Sequence, residues 1–217
     1  FPIKGVIWYQ GEANVGRSEQ YGDLFPALIT DWRRQWRSDF PFYFVQLANF
    51  MESKKIQPDS EWAALREAQT KALKLDQVGM AVTIDIGLAD DIHPKNKQEV
   101  GRRLALVALA GSYGKNVSSS APVFQNYIIK GNKMELDFGQ KQDGFQIKGT
   151  TLKGFTIAGP DRVFYPAEAM VHDGKIILSS TEVPAPLAAR YGWADNPDCN
   201  LYGENGLPVA PFRTDCW

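Results

Sequence analysis

Apolar positions follow two rhythms along this chain, and the rhythm changes near residue 115. In the first half, short unbroken apolar runs alternate with stretches of helical period. Lys4-Gly5-Val6-Ile7-Trp8-Tyr9 and Phe42-Tyr43-Phe44-Val45-Gln46-Leu47 are runs expected of strands covered on both faces, and residues 80–84 predict a third. Residues 19–36 predict a helix with Leu24, Leu28, Ile29, Trp32 and Trp36 on one face, and Pro26 marks either a kink in its first turn or its start. Residues 61–75 predict a second helix, with Trp62, Leu65, Ala68, Ala72 and Leu75 buried. A third spans 97–110 and starts at Asn96, with Glu99 three residues on as in a capping box. Strands alternating with helices predict a parallel sheet with right-handed crossovers, hence an α/β layer over residues 1–115.

Beyond Gly111-Ser112-Tyr113-Gly114 and the Ser118-Ser119-Ser120 triplet the pattern shortens. Residues 127–129, 133–138, 154–158, 169–172 and 175–179 predict strands, and Asp173-Gly174 is a strong two-residue hairpin signal. Residues 116–217 therefore form a β-rich region. The stretch from Tyr191 to Trp217, dense in Gly, Pro, Asn and Asp, is expected to wrap over the surface.

Composition narrows the function classes. Among 217 residues, 24 Lys+Arg against 25 Asp+Glu leave a formal charge of −1, without the basic footprint of a nucleic-acid or anionic-membrane partner. No apolar run reaches membrane-span length. The chain opens on Phe1-Pro2-Ile3-Lys4 without an initiator Met and enters a strand-like run at once, which points to a fragment or a processed subunit. Cys199 and Cys216 lack a second ligand pair for zinc, and they leave two states open: a disulfide, if the chain is exported, or two separate thiols.

In an open parallel sheet, ligands bind outside the carboxyl ends of the strands. That rule selects Gln10-Gly11-Glu12-Ala13-Asn14 after the first strand, Ala48-Asn49-Phe50 after the second and residues 85–93 after the third. Together they hold side-chain amides, carboxylates and an imidazole, a set suited to acyl chemistry. The chain has 2 His. His172 abuts the hairpin turn and reads as an ordinary strand-end residue. His93, in Asp90-Asp91-Ile92-His93-Pro94, lies on the ligand edge, where a carboxylate can fix its tautomer while the other nitrogen takes a proton. Asp90 is favoured for that role by spacing, with Asp91 and Asp85 as competitors.

Trp8-Tyr9-Gln10-Gly11-Glu12-Ala13-Asn14, taken with Asp90-Asp91-Ile92-His93-Pro94-Lys95-Asn96-Lys97, resembles the sialate O-acetylesterase family of SGNH-type hydrolases. Arg190-Tyr191-Gly192-Trp193-Ala194-Asp195-Asn196-Pro197 and Pro211-Phe212-Arg213-Thr214-Asp215 are similar to the late segments of that family. The resemblance implies a three-layer, flavodoxin-like SGNH core and a serine esterase that removes acetyl groups from sugars, without metal or organic cofactor. It implies Asp90 as orienting acid, His93 as general base and Gln10 as an oxyanion donor, with Glu12, Asn14 and Asn49 as substrate-binding candidates. The family's nucleophile sits in a Gly-Gln-Ser-Asn-like segment upstream of the Trp-Tyr-Gln-Gly-Glu block, and no such segment occurs here. The expectation is thus a core incomplete at its N-terminus, a C-terminal portion of a secreted or periplasmic enzyme, with the serine supplied by an N-terminal segment or chain. An acetylxylan-type polysaccharide esterase and a non-catalytic carbohydrate-binding fragment are the rival readings.

Overall fold

Phe42–Val45 (β2) is buried along its whole length, and it is the centre of a parallel sheet in the order β1-β2-β3, with β1 at Val6–Trp8 and β3 at Val78–Ala81. The computed structural model describes residues 3–139 and 144–217; the Phe1-Pro2 start lies outside them. Helix α1 (Ser18–Trp36) closes one face: Trp8, Phe25, Trp32 and Phe42 meet with ring centroids 5.8–6.5 Å apart. On that side α2 (Glu61–Thr70) also reaches β2, and a short 3-10 turn, Lys71–Lys74, follows it. The other face is covered by α3 (Lys97–Gly111), whose Val107 lies so close to Gly79 that a Cβ there would come within 2.4 Å of it. These are three layers, helix, sheet and helix.

Several local expectations shift by a residue or more. The buried stripe of α1 is Tyr21, Phe25 and Ile29, while Leu24 and Trp36 are exposed, because the rings beneath Phe42 and Phe44 set the helix phase. The helix starts well before Pro26 and runs through it, which costs only the bond that residue 26 would make to Gly22. Ser18 is its first helical residue. The first strand is not covered on both faces among the described residues. It pairs with β2 alone, and Ile7, opposite the α1 side, is 70% exposed. At α3, Asn96 Oδ1 accepts the Glu99 N–H at 3.1 Å, so half of the capping box forms; the Glu99 carboxylate turns instead to Arg102 and Arg103.

The chain divides into two compact units: residues 1–50 with 61–119, and 51–60 with 120–217. The second unit holds antiparallel sheets in the orders β4-β5-β10-β9 and β13-β11-β7-β8, and a β12-β6 pair. These strands are β4 (Asn126–Lys130), β5 (Lys133–Asp137), β6 (Phe145–Ile147), β7 (Phe155–Ala158), β8 (Phe164–Pro166), β9 (Glu168–His172), β10 (Lys175–Ser179), β11 (Ala188–Tyr191), β12 (Leu201–Gly203) and β13 (Phe212–Arg213). Asp173 and Gly174 both take positive φ, 48° and 71°, as a type I′ turn between β9 and β10 requires. The stretch from Tyr191 onward does not wrap the surface. Leu201, Tyr202, Leu207 and Val209 are buried, and β12 and β13 pair into sheets, because its turn-forming residues separate short apolar inserts.

Candidate active site

The carboxyl ends of β1, β2 and β3 bring three loops to one edge of the first unit, and buried polar side chains pin each of them. Gln69 on α2 is the first. Its amide nitrogen donates to the Gln10 carbonyl at 3.2 Å, and its amide oxygen accepts the Leu47 N–H at 2.9 Å, tying the first loop to the end of β2. Fully buried Arg66 donates to the carbonyls of Leu47 and Ala48 at 2.8 and 2.9 Å, and Trp62 donates to Ala48 at 2.7 Å. Neither Arg66 nor Gln69 stands out in the sequence. Both share the buried face of α2, where an apolar period leaves polar members unmarked, and the carbonyls of the unpaired strand end are what they satisfy.

Within the first loop, Gln10 is oriented from two sides. Its Nε2 donates to Asn14 Oδ1 at 2.6 Å, and its Oε1 accepts from the Tyr21 hydroxyl at 3.2 Å. The primary amide has a second N–H to offer. Glu12 and Asn14 belong to a single 3-10 turn, Glu12–Asn14, both half-buried. Burial, reinforced by the Glu12 carboxylate, pushes the Tyr9 phenol up to about 12, so it stays protonated at neutral pH.

The second and third loops are joined directly. Asn49 Oδ1 accepts the Gly87 N–H at 2.7 Å, and Phe50 and Leu88 form an isolated parallel bridge beyond the sheet. Further along the third loop, Asp85 takes a bidentate pair from Arg103, at 2.6 and 2.9 Å, and Arg103 also donates to the Val82 carbonyl at 2.7 Å. Asp85 is thereby committed to α3 and does not serve His93. Burial pulls the Arg103 pKa down, but the Asp85 and Glu99 carboxylates outweigh it and leave it raised.

His93 itself is held from Asp91. The Asp91 carboxylate accepts the His93 backbone N–H at 2.9 Å and lies 3.6 Å from Nδ1, longer than a hydrogen bond. That backbone bond comes first among the causes that lower the Asp91 pKa; the nearby Lys95 ammonium, 3.8 Å away, adds to it. The sequence spacing favours Asp90, yet Asp90 is exposed and makes no contact with the imidazole. The imidazole is 84% exposed, and among the described residues no serine hydroxyl is bonded to it. His172 ends β9 beside Asp173, 3.4 Å away. Cys199 and Cys216 are not bridged. Among the described residues, no group of three or more His, Cys, Asp and Glu is set to hold a metal, and no helix is long and apolar enough to cross a membrane.

The family profile described as carbohydrate esterase, sialic acid-specific acetylesterase, matches residues 2–110. The chain is 32% identical to the sialate O-acetylesterase of Mus musculus and 31% to that of Homo sapiens, in each case over 97% of this chain but 44% and 45% of the relative. A crystal structure of a carbohydrate acetylesterase from Xanthomonas citri superposes with a TM-score of 0.94 at 46% identity, covering 100% of this chain and 51% of that one. The chain thus spans about half the length of these relatives.

Proposed function

Because the chain belongs to the family of sialic acid-specific carbohydrate acetylesterases, we propose that it carries the acid–base and oxyanion elements of an enzyme removing O-acetyl groups from sialic acid or related sugars. The observation that supports this reading most is the convergence of Gln10, Asn49 and His93 on the loops that leave the carboxyl ends of three adjacent parallel strands. A serine Oγ attacks the acetyl carbonyl carbon while His93 takes its proton. The oxyanion accepts the free N–H of the Gln10 amide, and collapse expels the sugar alkoxide, which leaves protonated by His93. Water then cleaves the acetyl-enzyme by the same steps in reverse order of groups.

Asp90 is the orienting acid in this scheme. The Asp91 carboxylate is already engaged by the His93 backbone and Lys95 and shapes the turn, whereas Asp90 stands three residues from the base with no partner among the described residues. Glu12, Asn14 and Asn49 frame the substrate. The nucleophile comes from an N-terminal segment of the same enzyme that pairs with the open edge of β1 and covers Ile7. A strand edge with an exposed apolar side chain invites such pairing.

On the substrate alone an acetylated polysaccharide is the second reading, since the Xanthomonas relative, at the higher identity of 46%, is described only as a carbohydrate acetylesterase. Acetate release by the full-length protein from O-acetylated sialic acid and from acetylated xylan separates the two. No release from either, with an intact fold, ends the esterase proposal.

A further inference from the structure

The ladder between β1 and β2 stops one rung early. Its last pair is Trp8 opposite Phe44, so the next rung would set Gln10 opposite Gln46. In a parallel pair that rung belongs to the backbone of residue 10, whose N–H donates to the Val45 carbonyl and whose C=O accepts the Leu47 N–H. The side chain of Gln69 takes both places. Its Nε2 donates to the Val45 carbonyl at 3.4 Å, and its Oε1 accepts the Leu47 N–H at 2.9 Å. The same Nε2 donates to the Gln10 carbonyl at 3.2 Å. A carboxamide from α2 thus stands between the two strand ends, and Gln10 is set off from β2 by the width of an amide.

Further contacts fix that spacing. Gly11 has φ 152°, and a Cβ there would come within 3.2 Å of Gln69 Nε2 and 3.4 Å of the Leu47 and Leu65 side chains, so the loop passes the inserted amide at contact distance. Gln69 is 1% exposed, so bulk water does not compete for its bonds. From α1, the Tyr21 hydroxyl shares its proton between the Gln10 carbonyl at 3.3 Å and Gln10 Oε1 at 3.2 Å. Burial raises the pKa of that phenol, which therefore stays a donor at neutral pH.

We infer that Gln69 is a positioning residue for the oxyanion donor: its carboxamide, inserted as the last rung between β1 and β2, holds the Gln10 amide where the oxyanion forms. The inference rests on the reading of Gln10 as that donor. Without the inserted amide, the Val45 carbonyl and the Leu47 N–H are open to the backbone of Gln10 itself. The ladder then closes by one rung and draws Gln10 towards β2, away from the reacting carbonyl. Gln69 touches no substrate and acts only through Gln10.

The test is a double-mutant cycle in the full-length protein, read by steady-state hydrolysis of p-nitrophenyl acetate. Gln69→Met keeps the shape of the side chain and removes its donor and acceptor. Gln69→Asn is the milder change: one methylene shorter, its amide cannot reach both strand ends, and it carries the test alone if the Met variant does not fold. Each should lower kcat by about tenfold or more, up to the roughly 10²-fold of Gln10→Ala, with KM changed by less than about twofold. In a Gln10→Ala background the same substitutions should lower kcat by less than about twofold further, because the group they position is gone. Losses that multiply with that of Gln10→Ala, losses confined to KM, or an unchanged kcat would overturn this inference alone. An active parent that Gln10→Ala leaves unchanged would end the oxyanion reading and this inference with it, and a parent without esterase activity would end the proposed function as well.

Discussion

Asn49 and Gly87 are joined by a 2.7 Å hydrogen bond from the Gly87 N–H to the Asn49 side chain, and a Cβ at position 87 would lie 1.8 Å from the Asn49 carbonyl oxygen. Backbone against backbone leaves nothing flexible to yield, so the loops after β2 and β3 are locked at a separation that only glycine permits. The loop bearing His93 begins from this lock.

Gly87→Ala should therefore destabilise the protein by about 1–3 kcal/mol, the range of overpacking substitutions, and lower turnover by displacing the third loop. Asn49→Ala removes the hydrogen bond without the clash and should cost about 1 kcal/mol. Urea unfolding of the two variants checks the order; an alanine at 87 as stable as the parent would contradict the packing.

His93→Ala in the full-length protein should lower kcat by about 10²–10⁴-fold with the fold intact. Asp90→Asn should fall in the same range and Asp91→Asn well short of it, because the Asp91 carboxylate is already spent on the His93 backbone N–H and Lys95, whereas Asp90 has no other partner among the described residues. Steady-state kinetics of the three variants decide it, and a larger loss at Asp91 than at Asp90 would exchange their roles.

Gln10→Ala should reduce kcat by about 10²-fold with little change in KM, since the oxyanion bond forms chiefly in the transition state. Tyr21→Phe deletes the hydroxyl that orients the Gln10 amide at 3.2 Å and should act in the same direction by about tenfold or less. A change confined to KM would recast Gln10 as a binding residue.

Arg102, with help from Arg103, holds the Glu99 carboxyl at about 2 against an ordinary value of 4.5. A carboxyl with a lowered folded-state pKa stabilises fully above its unfolded value and loses that contribution as the pH falls through the folded one. Glu99→Gln should therefore destabilise the protein at pH 6, and its difference from the parent should shrink as the pH drops from 4.5 towards 2. Denaturant midpoints of both proteins across that range measure it; a constant difference would deny the linkage.

The sequence by itself determined the α/β layer and the edge on which the chemistry gathers. Unbroken apolar runs at Phe42–Val45 and the helical period of residues 61–75 are local signals, and the carboxyl-end rule converts them into Gln10, Asn49 and His93 before any contact is seen. Asp173-Gly174 was legible for the same reason, since the positive φ of a type I′ turn is a property of those two residues alone. Tertiary structure decided the rest. Arg66 and Gln69 are buried because strand-end carbonyls distant in sequence need donors, and no periodicity carries that information. The carboxylate beside His93 is Asp91, because a backbone turn, not residue spacing, sets where the side chain points. The buried strands beyond Tyr191 went unread, because three-residue strands among Gly, Pro and Asn have no period of their own and are strands only by virtue of the partners they pair with.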